Sequence, residues 1–171
     1  MEQTFNKKEI NYLILVIKLL ILIFFIFVSI RGYQETIFEL DTNYGNQYKL
    51  SDFVRLITRR TYFRPSILLL FPLIGIFINK KIGWIFITSY FYFLLTWLVF
   101  STISNGLNYN EEILFFAVAL VLTLIFIWIM NRKKIVEKVY NLKKNEVLIT
   151  NIKASSIGIF LTLYLAWTQI I

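Results

Sequence analysis

Apolar and charged positions are strongly segregated along the chain. Five runs, at residues 10–30, 65–79, 82–103, 113–130 and 154–171, are almost free of charge, and the charged residues gather between them. A helix of about 20 apolar residues is needed to cross a hydrocarbon core about 30 Å thick. The pattern predicts an all-α integral membrane protein with one polytopic domain over residues 1–171. It is expected to be a bundle of five transmembrane helices, or of four plus one re-entrant segment, with a short amphipathic helix at the surface.

The first run, 10–30, follows Lys7 and Lys8. It is longer than the core of a signal peptide and no small-x-small cleavage site follows, so it is expected to be retained. Lys18 interrupts it. Sixteen Leu, Ile, Phe and Val residues lie between Leu13 and Ile30. At about −0.4 kcal/mol each they contribute roughly −6 kcal/mol, against about +3 kcal/mol for a central lysine. The run inserts despite Lys18.

Residues 31–64 are polar. Gly32, the cluster at residues 43–46 and the acids Glu35, Glu39 and Asp41 predict a solvated loop. From Ser51 the pattern becomes helical, with Ser51 as the expected N-cap before Asp52. Phe53, Leu56, Ile57 and Phe63 share one face while Arg55 and Arg59 lie four apart on another, which predicts an amphipathic surface helix.

The run 65–79 is the weakest, since fifteen residues give about 22 Å of helix and Pro72 and Gly75 interrupt it. It either spans by drawing its ends inward or returns as a re-entrant half-helix. Runs 82–103 and 113–130 are full length, and Trp84 and Trp97 fall where interfacial aromatics are expected. Beyond 130 a basic segment, 131–153, carries Ile135, Val139 and Leu142 at helical spacing, which predicts that the fourth helix continues out of the bilayer.

Charge then decides between topologies. Five spans with Lys7 and Lys8 inside place eleven cations inside and six outside, Lys18 being left out of the count. A re-entrant second run with the N-terminus outside gives fifteen against two. The positive-inside rule favours the second arrangement, whereas the hydrophobicity of 65–79 and the need of a re-entrant backbone for surrounding partners favour five. Both put segment 131–153 in the cytoplasm and the C-terminus outside. A bacterial-type cytoplasmic membrane is the expected location.

Composition agrees with this class. Charged residues make up 16% of the chain, below the roughly 25% of soluble domains. The net charge of +8 is read as topology and contact with anionic headgroups, not as nucleic-acid binding. Histidine and cysteine are absent, which excludes a Ser-His triad, a histidine zinc site, thiolate chemistry and haem held by His or Cys. The apolar runs contain no carboxylate. No cofactor, metal or enzymatic activity is expected.

Three groups of residues stand out. Lys18 with Thr88, Ser89, Tyr92 and Thr96 forms a candidate polar path or pore lining, although snorkelling explains Lys18 and helix packing explains the hydroxyl stripe. Ser155, Gly158, Thr162 and Ala166 form a small-residue stripe suited to close helix contact. Arg55, Arg59, Arg60 and Arg64, with Arg132, Lys133 and Lys134, are candidate contacts for lipid or an acidic partner. The sequence supports a non-enzymatic membrane subunit or accessory protein that works by assembly with itself or with a protein partner. The alternative is a homo-oligomeric pore that depolarises the membrane, for example in a stress or antiviral response. A compact transporter is a third reading, weakened by the absence of an inverted repeat.

Overall fold

The computed structural model describes residues 7–45, 48–59, 62–106 and 110–170. Every regular element among them is helical: α1 Lys7–Tyr44, α2 Leu50–Arg59, α3 Arg64–Phe77, α4 Lys81–Asn105, α5 Asn110–Met130, α6 Lys133–Lys138, a 3-10 turn Lys144–Glu146, and α7 Val147–Ile170. Four of these, α1, α4, α5 and α7, are long and apolar enough to cross a membrane.

α1 overturns the expected loop after residue 30. The helix is unbroken to Tyr44 and has 38 residues in all, about 57 Å at 1.5 Å per residue. The polar residues after 30 bond back into their own helix instead of breaking it. Arg31 pairs with Glu35 at 3.5 Å. The Thr36 and Thr42 hydroxyls donate to the carbonyls of Gly32 and Phe38, both at 2.7 Å, and the Asn43 amide donates to the Glu39 carbonyl. Tertiary contact then compensates the weak helix propensity of Gly32: Tyr62 and Phe63 pack on it, and an added Cβ would stand 3.0 Å from the Tyr62 carbonyl oxygen. The helix stops where Gly45 turns to a φ of +58°, a conformation that costs glycine little.

α2 begins one residue before Ser51. Its start is closed by Asp52, whose carboxylate accepts the Lys49 backbone N–H at 3.0 Å, while the Lys49 carbonyl accepts from Asp52 and Phe53. Asp52 therefore does the capping expected of Ser51. Leu56 is buried and Phe53 meets Tyr33 of α1, so the apolar face of α2 turns to α1.

α3 and α4 form an antiparallel hairpin. Pro65 sits in the first turn of α3, where its missing N–H costs nothing. α3 has 14 residues, about 21 Å. It begins beside Gly32 and ends beside Lys18, so it joins opposite ends of that stretch of α1. The hairpin is tight: a Cβ at Gly83 would collide with the Ile78 carbonyl, and Phe71 meets Phe86 edge-on at 5.8 Å.

α4 is the centre of the bundle, packed against α3, α5 and α7. α5 runs antiparallel to it, with Phe91 and Phe126 stacked at 5.2 Å. α7 runs parallel to it, as the pairs Lys81–Glu146 and Thr96–Thr162 show. The fourth apolar helix does not continue past 130. α5 ends at Met130 and a separate α6 follows, because Ile135, Val136, Tyr140 and Leu142 are drawn into the core. Asn141, at φ 53°, makes the turn after α6, a left-handed position that asparagine tolerates. α7 starts at Val147, not near 154, and so takes in Lys153.

Gly158 sets how near α7 approaches α4. A Cβ there would stand 2.7 Å from the Phe93 nitrogen and 2.8 Å from the Ser89 carbonyl oxygen. Gly158→Ala should lower unfolding stability in detergent by about 1–3 kcal/mol, the usual cost of overpacking. The exposed control Ser156→Ala should leave it unchanged. Equal melting of the two variants, followed by tryptophan fluorescence, would mean that α7 is not seated on α4 in this way.

Candidate functional site

The polar side chains that hold the bundle together concentrate at one end, where the α3–α4 turn, α6 and the start of α7 meet. Lys18 is the first of them. Its ammonium donates to Asn79 Oδ1 at 2.8 Å, so the one charge inside the first apolar run is fixed to the turn that carries Lys80 and Lys81. Lys81 pairs with Glu146 at 3.1 Å, joining the starts of α4 and α7. Both groups are about 40% exposed, and a pair this wet contributes little. Trp84 is fully buried, and its indole N–H donates to the Met130 carbonyl at 2.8 Å. It is thus an internal tie between α4 and α5 and not the interfacial aromatic that its position suggested. Arg132 lies over the Trp128 ring at 4.2 Å, a cation–π contact at the rim. Tyr140 is buried in the same layer, and burial pushes its phenol up to about 12, so it stays neutral at physiological pH.

A second polar chain joins α4, α7 and the turn after α5. The Tyr92 hydroxyl donates to Asn151 Oδ1 at 3.0 Å, and the Asn151 amide donates to Asn131 Oδ1. Asn131 in turn donates to the Ile127 carbonyl. Asn131 and Asn151 were not singled out from the sequence. Each lies at or beyond the edge of an apolar run, where an asparagine reads as loop, and only the fold brings them together.

The candidate polar path and the candidate packing stripe turn out to face each other. Ser89 donates to the Ile85 carbonyl and lies where Gly158 approaches. Thr96 and Thr162 share a hydrogen bond across the α4–α7 contact. Gly158, Thr162 and Ala166 are buried, whereas Ser155 is half-exposed and bonds back to Ile152. Thr88 is buried with no partner for its hydroxyl, as is Ser66. Lys18 does not join this stripe, since α3 lies between α1 and α4.

The candidate cationic contacts separate. Arg55 is exposed on α2 and Arg64 starts α3, both at the Gly32 end of the hairpin. Arg132, Lys133 and Lys134 lie at the opposite end, beside Met130 and α6. The two groups therefore do not make the single basic face that a re-entrant second run would give. Arg60 and the side chain of Arg59 lie outside the described residues.

The bonded, half-buried amide and the buried, unbonded hydroxyl should respond differently to substitution. Asn151→Leu removes the amide that joins the Tyr92 hydroxyl to Asn131 Oδ1 and should cost about 1–3 kcal/mol of unfolding stability. Thr88→Val removes a hydroxyl that bonds to nothing and should leave the melting temperature unchanged or raised. A drop for Thr88→Val as large as for Asn151→Leu would show that this hydroxyl has a partner in the folded protein. Comparison with protein-family models, with curated proteins and with solved structures finds no match.

Proposed function

We propose that the protein is a non-enzymatic multi-span membrane subunit or accessory protein. It acts through helix packing and assembly, with itself or with a protein partner, in a bacterial-type cytoplasmic membrane. The basic end, with Lys80, Lys133 and Lys144, faces the cytoplasm and its anionic headgroups, in keeping with the positive-inside rule.

One observation carries this reading. After α4 has taken up its neighbours, the outer faces of α1 and α5 remain apolar, with Ile23, Phe24 and Phe27 on one and Val118, Val121 and Ile125 on the other. A surface of this extent suits lipid and neighbouring helices, not water. The missing histidine and cysteine support a role without catalysis. The pore alternative finds less support, because Ser89 and Thr96, the hydroxyls proposed to line it, pack against α7 of the same chain.

Native mass spectrometry from lipid nanodiscs tests the proposal. The expected result is a discrete assembly, either several copies of this chain or this chain with a second protein. A species of one copy alone, at every protein-to-lipid ratio and after extraction from its own membrane, would overturn it.

A further inference from the structure

The apolar faces of the bundle do not lie at one height. Gly32 of α1 rests against Tyr62 and Phe63. The register of α3 on α4 is fixed by Gly75 against Gly83 and by Phe71 against Phe86. Following that register, Phe63 and Gly32 stand about level with Thr96, so α4 continues beyond them for about nine residues, or roughly 13 Å. The Phe91–Phe126 stack and the Trp84–Met130 bond carry the same height across to α5, where it falls near Val121.

At this height the two sides of the molecule differ in chemistry. α1 presents Arg31, Gln34 and Glu35, all exposed, with Arg31 and Glu35 paired. α2 lies alongside through Phe53 on Tyr33 and adds the exposed Arg55. α5 presents Ala117, Val118 and Val121, all exposed and all apolar. A flat leaflet boundary serves one side and fails the other: it either buries the α1 charges in hydrocarbon, which is costly, or leaves the α5 residues in water.

We propose that the membrane boundary is stepped around this protein. On the side of α1, α2 and α3 the phospholipid headgroups of the arginine-end leaflet lie lower along the bundle than they do beside α5, and they meet Arg31, Glu35 and α2. The placement of α3 fits this, since Arg64 at its start stands near the lowered boundary while α4 runs on past it. α2 fits it too: with Leu50 and Val54 exposed beside Ser51 and Arg55, it is amphipathic in the manner of an in-plane helix. The partner this surface takes is a depressed patch of lipid leaflet. The inference rests on the membrane reading above.

The chain has no cysteine, so single thiols can report the boundary. Tyr33→Cys and Val118→Cys sit at matching heights on exposed positions, and Gln34→Cys with Ala117→Cys gives a second pair. Phe24→Cys and Ile125→Cys, exposed and further into the apolar faces, are the buried controls. Each folded variant is treated with a membrane-impermeant maleimide in nanodiscs of mixed zwitterionic and anionic oleoyl lipids, where both faces meet water. Positions 33 and 34 are expected to label to completion, with loss of labelling at 117 and 118 to the level of the controls. Protection of 33 and 34 alongside 117 and 118 would overturn the step, and so would full labelling of all four. Labelling of the two controls would instead remove the membrane reading itself.

Discussion

The structure depends on three helices packing on α4 at once. That demand divides α4 into three faces. Gly83 and Ile87 meet α3, Trp84 and Phe91 meet α5, and Ser89, Phe93 and Thr96 meet α7. In the proposed membrane setting helices gain nothing hydrophobic by associating, so close approach and interhelical hydrogen bonds supply the contact. The chain provides both at the same places. Gly158 and Gly83 remove the Cβ atoms that would hold backbones apart, and Thr96–Thr162, Tyr92–Asn151 and Trp84–Met130 bond across the seams.

The two ends of the bundle are built differently. At the basic end the ties are polar and long-range: Lys18 to Asn79, Lys81 to Glu146, and Asn151 to Asn131 join helices to the turns between other helices. α6 and Leu142 close that end with apolar side chains. At the other end α1 runs on as a helix with its polar groups turned back on itself, linked to the rest through Gly32, Tyr62 and α2. The basic end is thus a knitted layer, while the arginine end keeps α1 and α2 as a separate shelf beside α4 and α5.

Much of the helical layout was legible. α4 and α5 start and stop within a few residues of the apolar runs 82–103 and 113–130, because uninterrupted apolar length is a strong local signal. The amphipathic pattern after Ser51 likewise located α2, but α2 ends at Arg59, and Phe63, expected on its apolar face, stands at the start of α3 against Gly32. The continuation of α1 was not legible, since Gly32 and Asn43 are loop-forming by propensity and only contact with Tyr62 and Phe63, together with back-bonding of Thr36, Thr42 and Asn43, makes them helical. The turn after α6 was hidden because Ile135, Val139 and Leu142 keep a helical period across Asn141. The candidate residues on runs 82–103 and 154–171 were visible as two separate stripes. That they pack on each other is a tertiary fact, set by α7 running parallel to α4.

That pairing is the central claim, and a double substitution tests it directly. Thr96→Cys with Thr162→Cys introduces two thiols where the hydroxyls now touch across the α4–α7 contact. Oxidation in the membrane should give an intramolecular cross-link, seen as a monomer whose two halves stay joined after cleavage between α4 and α7 and separate on reduction. A cross-linked dimer would mean that α7 packs on α4 of a second copy, and failure to cross-link would mean that the two helices do not meet at this register. Either result contradicts the arrangement described.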